Sequence, residues 1–104
     1  MKKSRNLMIS AYHKKRGTVV DMDRCYFVNT FDIGVLNKSD NSLVLENGDY
    51  ILFDDVGNQH EVHLFDANLY GTIDSYKYLS GEISFKSETN DIFEANFIKW
   101  VDNI

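Results

Sequence analysis

The chain predicts an all-β fold, an antiparallel β-sandwich of about seven strands. Three observations carry this. Apolar residues recur at period two in run after run, and helical periodicity is poor throughout. Clusters of Gly, Asn, Asp and Ser part these runs roughly every 8 to 12 residues, the rhythm of a sandwich. Aromatic residues make up 13% of the chain, as seven Phe, six Tyr and one Trp, a bias that favours strands.

The first run is Leu7 to Tyr12. The basic, Gly17-containing stretch after it reads as a loop. The strongest run is Cys25 to Leu36, with Phe27, Phe31, Ile33 and Val35 on one face and Asn29 interrupting them. Tyr26, Thr30 and Asp32 take the other face, because successive side chains alternate. Gly34 inside that run suggests a bulge or a close backbone approach. Asn37 to Asn41 is a turn by composition. Leu43 to Leu45 is a short strand, broken by Glu46-Asn47-Gly48-Asp49. Asp49 to Asp54 alternates with Ile51 and Phe53 inward. Asp54-Asp55-Val56-Gly57-Asn58 signals a tight hairpin. Gln59 to Phe65 returns with Val62 and Leu64 inward. Asp66 to Tyr78 has no clear period and reads as an excursion over the surface. Glu82 to Lys86 carries Ile83 and Phe85 inward. Ile92 to Val101 is the last strand, with Phe93, Ala95 and Phe97 on one face and Ile98 and Trp100 on the other. Phe27, Phe31, Ile33, Phe53, Phe85 and Phe97 are the expected core. The chain has no proline, so its sheet edges need charge, bulges or loops for protection.

At 104 residues there is room for one domain with one core. The expected organisation is a single domain over residues 1–104, with residues 1–5 as a flexible arm. The hydrophobic share of 43% excludes a disordered chain. The net charge of −5 argues against nucleic acid, whose phosphates need a basic face, and against anionic lipid. Cys25 is the single cysteine, so no internal disulfide framework exists. It opens an apolar stretch and reads as a plain buried thiol. No window approaches the roughly 18 to 20 apolar residues of a membrane helix. Met1-Lys2-Lys3 has the charge of a leader, but no continuous apolar stretch follows. Location is left open: cytoplasmic if the chain is complete, outside the cytoplasm if a leader was removed.

The order of segments resembles a family of immunoglobulin-like domains of unknown function, common in lipoproteins and secreted proteins of Gram-positive bacteria. A long strand ends in the Asn37-Lys38-Ser39-Asp40 turn. A second closes on Asp54-x-x-Gly57. Leu79-x-Gly81-Glu82 then precedes a short strand ending in Phe85. The match departs at Ser80, where the family usually has proline, and lacks the family's leader and lipid-attachment cysteine. The resemblance implies an immunoglobulin-like β-sandwich and brings no catalytic residues with it.

Candidate constellations are few. His60 and His63 stand three apart on a strand and point to opposite faces unless a bulge intervenes. With His13 they supply no zinc-type ligand set. Asp54, Asp55 and Asn58 offer oxygens but lack the longer ligand series of a calcium loop, and such residues cap their own turn. Asp21 and Asp23 read as solvating a loop. No nucleophile elbow or phosphate cradle occurs. The expectation is therefore no catalytic residue, no metal and no cofactor.

Two features point to a partner. Lys14, Lys15 and Arg16 form a basic cluster, read as a solvated arm or as a contact for an acidic partner. Tyr70, Tyr76 and Tyr78 put three tyrosines in nine residues, and tyrosine supplies large contact area with a polar tip. Leu69 and Ile73 accompany them, so the segment also reads as a lid over one end of the sandwich. The expected function is a non-catalytic protein-interaction module whose partner is another protein. The alternatives are a small inhibitor or immunity-type protein from a phage or mobile element, and a carbohydrate-binding module with flat aromatic rings on one face. An enzyme is not expected.

Overall fold

In the computed structural model the described residues are 6–103; the expected arm at residues 1–5 lies outside them. The chain is antiparallel β throughout, with two short 3-10 turns. Eight strands form: β1 Leu7–Asp21, β2 Arg24–Asn37, β3 Leu43–Leu45, β4 Gly48–Phe53, β5 Gln59–Phe65, β6 Gly71–Ile73, β7 Tyr78–Ser87 and β8 Phe97–Asp102. Six of them make one hydrogen-bonded sheet in the order β1-β2-β7-β5-β4-β8. The other two, β3 and β6, pair separately.

The sheet curls because β5 changes partner along its length. Gln59 and His60 pair with β4, and Glu61 to Phe65 pair with β7. The β4–β8 pair is thereby turned to face β2 and β7. Phe31, Ile33 and Val35 of β2, with Ile83 and Phe85 of β7, meet Tyr50 and Leu52 of β4 and Ile98 of β8 in one core. Leu45, Ile73 and Leu69 close one end. The edge strands β1 and β8 come near each other without joining the ladder, so the sheet is a half-barrel.

The segment expected as a basic loop is strand. β1 runs unbroken from Leu7 to Asp21 and pairs with β2 from Leu7–Asn37 to Asp21–Arg24. Met22 and Asp23, both at positive φ, close this hairpin in two residues with the handedness that matches strand twist. The bulge that keeps β1 in register falls between His13 and Lys15. Gly34 is regular and its Cβ position is open. Cys25 is exposed, because it lies near the hairpin tip, where Val20 opposite it is also exposed.

Two faces are reversed from expectation. On β4, Tyr50 and Leu52 are fully buried, while Phe53 turns outward to meet Phe97, ring centroids 6.4 Å apart. On β8, Ile98 is buried and Phe97 is 55% exposed. Both strands are apolar on both sides, and the inner Tyr50 hydroxyl is satisfied by donating to the Leu69 carbonyl at 2.6 Å. The expected strand from Ile92 is a 3-10 turn over Asn90–Glu94, with β8 beginning at Phe97. Leu64 is exposed, because a second bulge between Val62 and Leu64 shifts the face of β5. At Gly48 a Cβ would stand 2.6 Å from the Val101 carbonyl oxygen and 2.7 Å from the Trp100 ring, so only glycine fits where β4 starts against β8.

Asn29 interrupts the inner row of β2 for a reason. Its Nδ2 donates to the Ile92 carbonyl at 2.9 Å and so ties the 90–94 turn to the sheet. Asn37, fully buried, donates to the carbonyls of Asn41 at 2.8 Å and Ile73 at 2.9 Å. Its Oδ1 accepts from the Ser39 backbone N–H and hydroxyl.

The β4–β5 hairpin closes on Asp54, whose Oδ1 accepts from the N–H groups of Val56 and Asn58. Its Oδ2 accepts from the Asn58 side chain. Gly57 supplies the positive φ. Desolvation pushes the Asp54 carboxyl up, but the Asn58 and Val56 bonds and neighbouring His60 more than offset this and leave it below 3.8.

Three outcomes follow for stability. Phe31→Ala and Phe85→Ala are expected to cost about 3 to 5 kcal/mol, and Phe97→Ala about 1 kcal/mol or less, read from urea midpoints. Asn37→Ala is expected to cost about 1 to 3 kcal/mol, because it strands buried carbonyls. For Asp54 the folded carboxyl ionises at lower pH than the unfolded one. Its stabilisation is therefore fully present above the unfolded value near 3.8 and is lost as pH falls through the folded value. The stability gap between the parent and Asp54→Asn is expected to be widest near neutral pH and to shrink below about pH 4; a gap independent of pH would refute the role.

Candidate functional site

The outer face of β1, β2 and β7 carries the exposed apolar side chains that the core does not use. Cross-strand register sorts them into rows. Met8, Leu36 and Tyr78 form one row across the three strands. Ser10, Gly34 and Ser80 form the next. Tyr12, Asp32 and Glu82 follow. Because Gly34 has no side chain, a shallow hollow of about 310 Å³ opens between Met8, Ser10, Leu36 and Tyr78. Tyr12 is 70% exposed and Tyr78 69%.

The three tyrosines of the 66–78 segment are placed differently. Tyr70 joins a ring cluster, 5.5 Å from Tyr50, 5.6 Å from Trp100 and 4.7 Å from Phe65. Burial, then the Asp49 charge, pushes its phenol up. Leu69 and Ile73 beside it are core. Tyr76 sits at positive φ on the 74–77 turn, exposed, with its hydroxyl 3.1 Å from Asp40 Oδ1. Tyr78 opens β7 on the outer face opposite Leu36. The segment is thus part lid and part surface.

The basic cluster is also divided, because the bulge at its start re-aims the side chains. Lys14 reaches the outer face, 2.9 Å from Glu82 Oε2 and 3.8 Å from Asp32 Oδ1. The Glu82 hydrogen bond first, then the Asp32 charge, raises its ammonium above the usual lysine range. Arg16 turns the other way. Its Nη2 donates to the Phe93 carbonyl at 2.9 Å, and its guanidinium lies 5.5 Å from the Phe93 ring centroid. Lys15 lies beside Thr30 on the outer face and has no acidic partner among the described residues.

His60 and His63 are separated by the sheet. His60 is buried, 3.6 Å from Asp54 Oδ2, while His63 lines a groove on the outer face. Among the described residues no three His, Cys, Asp or Glu side chains converge as a metal group, and no helix is long and apolar enough to cross a membrane. Met8, Tyr12 and Leu36 went unrecognised as surface residues in the sequence. Their signal was the alternation of the first strand, which puts Met8 and Tyr12 opposite Leu7, Ile9 and Ala11.

No family model matches the chain, and no curated protein does. Among solved structures, the crystal structure of an ApaG protein from Pseudomonas aeruginosa superposes with a TM-score of 0.90. The match covers 98% of this chain and 100% of that one, at 18% sequence identity. At that identity the likeness is one of fold: this chain has the curled antiparallel β architecture of that ApaG protein.

Proposed function

We propose that this chain is a non-catalytic module that docks on another protein. The observation that supports it most directly is the row of Met8, Leu36 and Tyr78, with Tyr12 four residues further along the edge strand. Exposed apolar and aromatic side chains grouped on one rigid face mark contact surfaces. Tyrosine rings bury much area at small entropic expense. Tyr76, on the turn leading into β7, extends the same surface. Tyr70 is committed to Tyr50 and Trp100 and is not part of this surface. The immunoglobulin-like reading of the sheet belongs to this proposal: by dividing between β4 and β7, β5 turns one sheet into two facing layers.

A second reading has one observation in its favour. Tyr12 and Tyr78 share the outer face with the polar Ser10 and Ser80 between them, an arrangement suited to stacking on a sugar ring.

A Tyr76→Ala, Tyr78→Ala double variant separates these. It is expected to melt within a few degrees of the parent, since both side chains are mostly exposed, and to lose its partner in affinity capture. Tyr70→Ala is expected to melt lower instead. A double variant that folds and still captures the partner refutes the docking surface. A hit on a glycan array that the same variant abolishes, with no protein captured, favours the sugar reading.

A further inference from the structure

The two bulges of this sheet stand at the same level, and a groove opens between them. One shifts β1 between His13 and Lys15, the other shifts β5 between Val62 and Leu64. Immediately past both lies a single cross-strand row: Lys15 of β1, Thr30 of β2, Ser84 of β7 and Leu64 of β5. Bulges bend their strand and sharpen its twist, and they recur beside binding sites. Here they flank one row from both sides, and the outer face is concave there, with a groove of about 540 Å³. That volume lies within the range of small-ligand sites.

The groove floor is polar. Thr30 is 3% exposed and Ser84 6%, although both sit on the outward face of the sheet. Neither hydroxyl has a hydrogen-bond partner among the described residues. Both hydroxyl oxygens open onto the groove, where a ligand can accept from them. The walls include Val19, Val28 and Phe65, with His63 beside Leu64.

Charge selects the ligand. Lys14 is held by Glu82, Arg16 by the Phe93 carbonyl, and Lys86 by Asp21 at 3.4 Å. Lys15 is the groove cation without such a partner among the described residues. The acidic side chains at the groove are already engaged: Glu82 with Lys14, and Asp66 Oδ2 accepting the Glu82 N–H at 2.7 Å. One free ammonium and two neutral hydroxyl donors match a singly charged oxyanion. A doubly charged phosphate would meet the Glu82 and Asp66 carboxylates with too little positive charge to offset them. The apolar walls match carbon.

We propose that this double-bulge groove binds a carboxylate carried on an apolar body, the carboxylate against Lys15, Thr30 and Ser84 and the body against Val28 and Leu64. Such chemistry comes from a free organic acid or from an acidic side chain flanked by apolar residues in a peptide. The groove is a different surface from the Met8–Leu36–Tyr78 row, so either proposal can fail while the other stands.

The test is an NMR amide titration with three probes: 4-methylpentanoate, its neutral amide 4-methylpentanamide, and an end-blocked Leu-Glu-Leu tripeptide. Saturable shifts centred on Thr30, Ser84 and Leu64 are expected from at least one carboxylate probe. The neutral amide is expected to bind about tenfold more weakly, the loss of one charge-assisted contact. Lys15→Gln, an exposed position, is expected to melt like the parent and to weaken binding by about the same factor, with Lys15→Arg retaining it. Thr30→Val, of similar volume, is expected to weaken it without Lys15 being touched. Response to 4-methylpentanoate alone assigns the groove to a small organic acid, and tighter binding of the tripeptide assigns it to an acidic residue of a partner. Absence of saturable shifts from both carboxylates, equal binding of the neutral amide, or unchanged binding in Lys15→Gln overturns the proposal.

Discussion

Two buried asparagine amides on β2 hold the irregular parts of this chain against its sheet. Asn29 and Asn37 both lie on the inner face, where an unpaired amide would be costly. The amide nitrogen of each meets it by donating to carbonyls outside the six-stranded sheet. Asn29 takes the 90–94 turn through Ile92. Asn37 takes the 38–41 turn and the end of β6 through Asn41 and Ile73. These bonds place Ile92 and Ile73 over the open ends of the core. A leucine at either position would bury more carbon but would leave those carbonyls without donors. The polar interruptions of an apolar strand are therefore what lets the strand carry the rest of the fold.

Curvature links this core to the outer face proposed as the docking surface. Because β5 pairs with β4 first and with β7 afterwards, the sheet closes on its own inner face and leaves its outer face accessible. The apolar row of Met8, Leu36 and Tyr78 stays outside since nothing among the described residues folds back over it. The bulge in β1 serves two ends at once. It twists an edge strand that has no proline to blunt it, and it brings Lys14 to the outer face and Arg16 to the inner one. Charge and bulging are the protections open to such an edge.

Much of the fold was legible in the residues, and for a local reason. Alternation at period two placed Phe31, Ile33, Val35, Ile83 and Phe85 inward without reference to anything distant. Turn chemistry located the Asn37 to Asn41 turn and the Asp54 to Asn58 hairpin, because Asn, Asp and Gly act on their own backbone. The outer surface was half legible. Tyr76 and Tyr78 stood out by type, while the row joining Tyr78 to Leu36 and Met8 exists only across three strands.

What the sequence by itself determined was the class of fold, most of the strand-forming segments, and the inner face of β2 and β7. These follow from short-range stereochemistry, which a linear pattern records. Tertiary structure alone decided the rest. Strands β4 and β8 are apolar on both sides, so the choice of Tyr50 and Leu52 over Ile51 and Phe53, and of Ile98 over Phe97, was made by the layer they pack against. The bulges at Lys14 and His63 each insert one residue that reverses every face beyond it, and period-two reading cannot see an inserted residue. The row of Lys15, Thr30, Ser84 and Leu64 joins residues from four strands. Its existence depends on register between strands, and register is set by packing across the sheet rather than by any one strand.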